Sequence, residues 1–174
     1  VNNKSFYVQD KLVTELDLTG CTKISDNAFI GLRNLTKILI PGSVKSIGYG
    51  AFRQCNNVVS VDVQDGVESI GAYAFQPCAK LETVNIAGTV QTIGDYAFGG
   101  CSKLQTVTIE NGVKELGSNM FFNCASLKTA KMADSIATIG EDCFYDCPNL
   151  TNVNIPQSLT TIPKRCFYNC KKLA

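Results

Sequence analysis

Residues 90–104 read VQTIGDYAFGGCSKL, and this stretch decides the fold because its pattern returns every 23 residues along the chain. Phenylalanine shows the period most clearly, since eight of the nine phenylalanines keep one register: Phe6, Phe29, Phe52, Phe75, Phe98, Phe121, Phe144 and Phe167. Cysteine keeps the same period three residues later, at Cys55, Cys78, Cys101, Cys124, Cys147 and Cys170. Self-similarity at this period is typical of a solenoid, in which each repeat forms one coil stacked on the next.

Each repeat contains one strand pattern, of the form Leu-x-x-Val-x-Ile, as in residues 104–109. Alternating β-branched residues predict a short strand with one buried face. Because so short a strand cannot bury that face alone, we expect its copies to stack into one parallel sheet. The Ala-Phe-x-x-Cys segment is predicted to form a short helical or 3₁₀ turn opposite the sheet. The fold class is therefore predicted as a right-handed α/β solenoid.

Glycine follows the second isoleucine of the repeat, at Gly48, Gly71, Gly94, Gly117 and Gly140. Two explanations are open at this point. Either the backbone takes an angle that only glycine adopts cheaply, or successive coils approach each other too closely for a side chain.

The 174 residues fit one domain, and we predict a single solenoid over residues 1–174. Residues 1–12 are interpreted as a partial N-terminal repeat. The chain stops at Leu173-Ala174, where another strand pattern would begin. Since a solenoid needs a capping end, we expect the C-terminal cap to be missing and the chain to be a fragment.

Composition argues against several function classes. The formal net charge is +1, whereas nucleic acids and anionic membranes attract a basic surplus. No apolar run approaches the roughly 18 residues of a membrane span, so membrane insertion is not expected. The chain has no histidine to activate a serine or cysteine nucleophile, and it has no glycine-rich phosphate loop. We therefore predict that the chain is not an enzyme and uses no cofactor.

The nine cysteines are an odd number, so they cannot all pair with one another in disulfides. Those in the repeated column are interpreted as small buried hydrophobic residues. The last two repeats differ, because each carries a pair: Cys143 with Cys147, and Cys166 with Cys170. Four stacked thiols could converge on a metal ion or form disulfides. The alternative is that cysteine simply replaces alanine in the core.

The motif of residues 90–104 and its recurrences resemble the BspA-like class of leucine-rich repeats, over nearly the whole chain. This resemblance implies a leucine-rich-repeat superhelix. It also implies a secreted or surface protein, mostly bacterial, with a role in adhesion to a host or matrix. It supplies no functional residues, since the shared motif is the structural core. Residues 16–21, Leu-Asp-Leu-Thr-Gly-Cys, also resemble the repeats of intracellular ubiquitin-ligase adaptors.

The concave face of the predicted sheet is the first candidate ligand surface. Its outward positions are small, polar and mostly uncharged: Lys37, Leu39, Ser60, Asp62, Thr83, Asn85, Thr106, Thr108, Thr129, Lys131, Asn152 and Asn154. They suit hydrogen bonding to a glycan or an extended peptide. Alternatively, threonine and asparagine are simply soluble residues on an exposed strand.

Aromatic side chains form the second candidate surface. Phe122, Tyr145 and Tyr168 each follow a core phenylalanine directly, and stacked exposed aromatics can mark a contact site. Alternatively, they pack under a loop or against a further repeat.

Three functions remain open, and the third is a spacer that presents another domain. The first is an extracellular or cell-surface adhesion module that binds a host or matrix protein, or a glycan, through the concave face. The second is a cytoplasmic interaction scaffold or substrate adaptor, which reduced cysteines would favour. None of these functions involves nucleic acid.

Overall fold

The computed structural model describes residues 7–8, 11–12 and 14–173. In this part of the chain there are fourteen strands and no helix. In chain order the strands are β1 (Tyr7–Val8), β2 (Lys11–Leu12), β3 (Lys23–Ile24), β4 (Lys37–Ile40), β5 (Ser46–Ile47), β6 (Ser60–Val63), β7 (Ser69–Ile70), β8 (Thr83–Ile86), β9 (Thr92–Ile93), β10 (Thr106–Ile109), β11 (Glu115–Leu116), β12 (Thr129–Lys131), β13 (Thr138–Ile139) and β14 (Asn152–Val153).

The coils build two parallel sheets of six strands each, where the sequence predicted one. The first sheet contains β4, β6, β8, β10, β12 and β14, and the second contains β3, β5, β7, β9, β11 and β13. Paired residues are one repeat apart, as in Val84 with Val107 and Ile93 with Leu116. The second sheet escaped prediction because each of its strands has two residues. With only one inward-facing residue, such a strand gives no alternation of apolar and polar residues in the sequence.

The predicted partial repeat at residues 1–12 lies mostly outside the described residues. What the structure describes there is an antiparallel pair, with Tyr7 opposite Leu12 and Val8 opposite Lys11. Phe6, the first phenylalanine of the period, and Ala174 are outside the described residues too.

The phenylalanine column is confirmed as a single file of stacked rings inside the solenoid. Seven rings, from Phe29 to Phe167, have neighbouring centroids 5.0–5.9 Å apart and interplanar angles of 2–20°. The five rings from Phe52 to Phe144 are fully buried. The leucine, valine, isoleucine and cysteine columns complete the same core.

Core columns lose their cover in the last coil. Ile155 and Ile162 occupy isoleucine positions of the repeat but are 45% and 56% exposed. The equivalent Ile86 and Ile93 are buried. Ile86 and Ile93 have a coil on each side, whereas Ile155 and Ile162 lie in the last coil.

The Ala-Phe-x-x-Cys segment consists of turns, so the predicted helical or 3₁₀ turn was wrong. The residue two places before each phenylalanine has a φ of 54–59°, at Asn27, Gly50, Tyr73, Tyr96, Asn119, Asp142 and Arg165. Two places after the phenylalanine, φ is again positive at Gly31, Gln54, Gly100, Asn123, Asp146 and Asn169. A right-handed helix cannot continue through left-handed residues at this spacing.

These turns use their backbone groups to join the coils. The N–H groups of Gly50, Phe52 and Gln54 donate to carbonyl oxygens of the next coil, at distances of 2.9, 2.7 and 3.1 Å. Alternate N–H groups of this turn thus all point toward the next coil in the C-terminal direction. The free energy of these hydrogen bonds between coils offsets the conformational cost of the residues with a positive φ.

The glycine column is explained by close approach between coils. A Cβ atom on Gly117 would lie 2.5 Å from the nitrogen of Asp95 and 2.5 Å from the carbonyl carbon of Gly94. None of the five column glycines has a positive φ. Of the two explanations open from the sequence, the structure therefore supports the steric one.

Candidate functional site

The outer side of the first sheet, called here the first-sheet face, carries two parallel rows of side chains. Parallel register places each row member beside its copy on the next strand, as Thr83 beside Thr106 and Asn85 beside Thr108. The first row is Lys37, Ser60, Thr83, Thr106, Thr129 and Asn152, and the second is Leu39, Asp62, Asn85, Thr108, Lys131 and Asn154. All twelve predicted site residues are exposed or half-buried, so the structure brings them together on one surface.

The side chains in the middle of the first-sheet face have no hydrogen-bond partner among the described residues. Thr83, Asn85, Thr106 and Thr108 form no side-chain hydrogen bond with any residue that the structure describes. A hydroxyl donates one hydrogen bond and accepts others, and an amide offers both kinds of group. Four adjacent side chains of this kind form a polar surface whose bonding capacity is unused by the protein.

The two ends of the face differ from its middle. At the N-terminal end, Leu39 is 41% exposed and lines a cleft of about 120 Å³ with Glu15, Leu16 and Lys37. At the C-terminal end, the Met132 N–H donates to Asn154 Oδ1 at 2.8 Å, and Asn154 Nδ2 donates to the Met132 carbonyl. This amide extends the sheet where β14 ends, so it is not free for a ligand.

Shallow depressions with acidic walls border the first-sheet face where its strands end. One, of about 420 Å³, is lined by Asp62, Asp65, Asn85 and Glu110 among other residues. A second, of about 490 Å³, shares Glu110 and adds Asp134. Sequence reasoning missed Asp65, Glu110 and Asp134 because they lie in loops after the strand pattern. Their shared signal is an acidic residue one or two places after the last apolar residue of the strand pattern, which is Val63, Ile109 or Met132.

The second predicted surface is part of a longer file of rings, called here the outer ladder. The predicted residues stack as expected, with centroids 5.4 Å apart for Phe122 and Tyr145 and 4.8 Å for Tyr145 and Tyr168. The file continues toward the N-terminus through Tyr96, Tyr73 and Tyr49.

Sequence reasoning missed half of the outer ladder because its rings come from three columns of the repeat. Tyr49 lies three residues before a core phenylalanine, Tyr73 and Tyr96 lie two before, and the others lie one after. The available signal was that each repeat from residue 49 onward carries one aromatic residue outside the phenylalanine column. Where the ladder changes column, Gly99 leaves room for Tyr96, whose Cδ1 would lie 3.1 Å from an added Cβ.

Two arginines lie over rings of the outer ladder, in different electrostatic surroundings. Arg165 lies 5.9 Å from the ring of Tyr145 and forms two hydrogen bonds of 2.6 and 2.7 Å to Asp142. Hydrogen bonding from Arg165 lowers the pKa of the Asp142 carboxyl. Arg53 lies 5.9 Å from the ring of Tyr73, and its Nε is buried with no hydrogen-bond acceptor.

The paired cysteines of the last two coils are buried thiols. Cys147 and Cys170 donate to the carbonyl oxygens of Phe121 and Phe144, at 3.2 and 3.1 Å. Burial raises the pKa of Cys147 and Cys166 to about 12, whereas metals bind the thiolate form. Among the described residues, no three His, Cys, Asp or Glu side chains are arranged to hold a metal ion. The geometry therefore fits core packing better than metal binding.

The repeat pattern matches a family profile described as BspA type leucine-rich repeat region, with six copies, over residues 1–93, 22–146 and 69–174. The chain belongs to this family. Its BspA-type repeats are similar to a leucine-rich cell surface protein from Faecalibacterium prausnitzii, at 34% identity and a TM-score of 0.75. That match covers 88% of this chain and 41% of the other. No curated protein matches the chain.

Two further crystal structures resemble this BspA-type chain. A leucine-rich repeat protein from Eubacterium ventriosum is 28% identical with a TM-score of 0.87, over 94% of this chain and 44% of that one. The T. pallidum leucine-rich repeat protein is 28% identical with a TM-score of 0.77, over 87% and 71%. The chain thus spans less than half the length of the F. prausnitzii and E. ventriosum proteins. Within its described part, no helix is suited to crossing a membrane.

Proposed function

We propose that this chain is a non-catalytic binding module of a bacterial surface protein, and that it holds a protein or glycan ligand on the first-sheet face. The observation that carries the proposal is the unused bonding capacity of Thr83, Asn85, Thr106 and Thr108. Exposed polar groups with no internal partner can exchange water for a ligand at little cost.

The first sheet suits this role better than the second because it is wider. Four-residue strands such as β8 and β10 present two outward rows, about 7 Å apart along the strand. Two-residue strands such as β9 present one row. Two rows provide a surface on which both sides of an extended ligand find partners. The bordering depressions of about 420 and 490 Å³ enlarge that surface.

The composition of the face favours an extended peptide or a glycan as the ligand. Its middle has no aromatic anchor, and tight protein–protein contacts generally depend on such anchors. Hydroxyls and amides spaced about 4.8 Å apart across strands suit a ligand with many donors and acceptors.

A surface location is supported by the similarity to the F. prausnitzii protein, which is described as a cell surface protein. The second candidate function is an intracellular interaction scaffold. It is favoured by the cysteines, all nine of which are free thiols, because secreted proteins commonly contain disulfides. The binding face proposed is the same in both cases.

A screen with a matched pair of variants tests the proposal. The chain is applied to an array of immobilised matrix proteins and glycans, and each binder is measured again with Thr83→Arg/Thr106→Arg. The control is Ser69→Arg/Thr92→Arg, which places two arginines on paired strands of the second sheet. We expect binding about tenfold or more weaker with the first variant and unchanged with the second. Equal effects of both variants, or a chain that binds nothing on the array, would contradict the proposal.

A further inference from the structure

The outer ladder is a surface separate from the first-sheet face. All aromatic side chains of the described residues 14–173 belong to one of two files, the buried phenylalanines or the outer ladder. Each coil from Tyr49 to Tyr168 supplies one ring to the outer ladder. It runs along the turns that hold the left-handed residues, and two of its members, Tyr73 and Tyr96, are themselves left-handed.

Stacking decides which part of each ring a partner can reach. Tyr73 lies between two rings: Tyr96 stacks on it with centroids 5.1 Å apart and an interplanar angle of 8°, and Tyr49 is tilted by 51° with its centroid 5.3 Å away. One face of Tyr73 is therefore covered by a stacked ring, and the tilted Tyr49 ring narrows access to the other. Tyr73 is half-buried, and Tyr49 is 44% exposed. Ring edges carry positive potential, and these three tyrosine hydroxyls form no hydrogen bond with the described residues. Sugars bind aromatic rings mainly through the faces, so this surface suits an acceptor-rich protein segment better than a glycan.

Arg53 adds a positive charge beside the ring of Tyr73. Its guanidinium lies against Tyr73, its buried Nε has no acceptor, and no carboxylate of the described residues pairs with it. Because Nε is shielded from solvent, a partner can reach only the rest of the guanidinium of this half-buried side chain, and a carboxylate is the group that best satisfies a guanidinium. By contrast, Asp142 already pairs with Arg165 in the C-terminal half of the ladder.

Carboxylates near this site are already engaged. The repeat position of Tyr49 holds Asp26 one coil earlier and Asp95 two coils later. Asp26 accepts the Tyr49 N–H at 2.8 Å, and Asp95 accepts the Ser118 N–H at 2.7 Å. Neither reaches Arg53. The charge at Arg53 is therefore available to a partner.

We propose that Tyr49, Arg53 and Tyr73 form a docking site for an acidic, extended segment of a partner protein. A carboxylate of that segment pairs with Arg53, and its remaining oxygens accept from the tyrosine hydroxyls. Tyrosine and arginine are the residue types that contribute most to protein–protein binding energy. The site does not depend on the first-sheet face, so a chain can use both surfaces at once.

Synthetic peptides of about eight residues, which extend over about 26 Å, test the site. Three peptides share one sequence except at alternate positions, which hold Glu, Gln or Lys, and binding is measured by fluorescence anisotropy. We expect the Glu peptide to bind and the Gln and Lys peptides to bind at least about tenfold more weakly. Arg53→Gln should weaken the Glu peptide about tenfold. Lys45→Gln, which removes one exposed positive charge elsewhere, is the matched control and should change nothing.

Two further measurements keep the outcome clear. Thermal unfolding checks that Arg53→Gln remains folded, and ¹³C signals of labelled tyrosine should shift at Tyr49 and Tyr73 when the Glu peptide binds. A heparin-derived oligosaccharide serves as a polyanionic glycan. The proposal is overturned by any of three results: no peptide binding at about 1 mM, equal effects of both variants, or tighter binding of the oligosaccharide than of the Glu peptide.

Discussion

The thiol of Cys101 donates a hydrogen bond to the carbonyl oxygen of Phe75, with Sγ 3.4 Å from the oxygen. The same contact recurs from Cys55 to Cys170, at 3.1–3.5 Å, each time with the phenylalanine one coil earlier. The two columns that mark the repeat in the sequence are thus bonded to each other across coils. Cysteine suits this position because it is small, readily buried and still a weak donor.

Replacing Cys101 by alanine should destabilise the chain by about 1–2 kcal/mol, because the variant leaves a small cavity and removes the bond to Phe75. Urea unfolding followed by circular dichroism measures the change. Cys21→Ala is the control, since Cys21 is exposed. It should shift the unfolding free energy by less than about 0.5 kcal/mol. A Cys101→Ala variant as stable as the parent would show that the thiol contact contributes nothing.

Alkaline pH should destabilise the chain through its buried thiols. Burial raises the pKa of Cys101 from 9.0 to about 12, and that of Cys55 also to about 12. Above pH 9 the unfolded chain loses these protons while the folded chain keeps them, so stability is full below pH 9 and falls as the pH rises toward 12.

Each such thiol contributes a slope of about 1.4 kcal/mol per pH unit in that window. Unfolding free energies at several pH values give the total slope, and Cys101→Ala should reduce it by one thiol's share. If the unfolding free energies of the parent and of Cys101→Ala fall equally steeply with pH, this account is wrong.

Gly117→Ala should destabilise the chain by about 3 kcal/mol or more, because the new Cβ would overlap the backbone of Asp95 and Gly94. The comparison is Gly31→Ala, where φ is 72° and nothing lies within 4 Å of the added atom. That change meets only the backbone cost of about 1 kcal/mol. Thermal and urea unfolding of both variants show which of them is less stable. The reverse order would mean that neighbouring coils can move apart at Gly117, so that close approach does not select glycine in this column.

Asn154→Ala and Asn85→Ala should separate structure from binding within one row of the first-sheet face. Asn154 bonds both backbone groups of Met132, so its loss should cost about 1 kcal/mol. Asn85 makes no such bond, and its loss should change stability by less than about 0.5 kcal/mol but weaken any ligand found on the array. Unfolding and binding assays on the same samples distinguish the structural role from the binding role. Weaker binding with Asn154→Ala alone would place the ligand at the edge of the sheet.

The twelve predicted residues of the first-sheet face and the inner phenylalanine file were predictable because both follow one period. Identical side chains at a fixed spacing must meet their own copies once the coils stack, so Phe52, Phe75 and Phe98 could be placed without coordinates. The outer ladder was predicted only in part, because its rings lie in three columns: Tyr73 and Tyr96 are one repeat apart, but neither Tyr49 nor Phe122 shares their register. The repeat pattern relates residues at the same position of successive repeats. Rings from different positions can still stack if the backbone brings them to the same place on the surface.

By itself, the sequence of this chain determined the repeat length, the stacking of coils and which columns form the core, since burial follows from apolar residues returning at one interval. Only the tertiary structure decided that there are two sheets, that the phenylalanine segment is a series of left-handed turns, and that rings from three columns form one file. These features depend on backbone groups and ring edges of one coil meeting those of the next. Such contacts are set by the spacing between coils, which no single repeat contains.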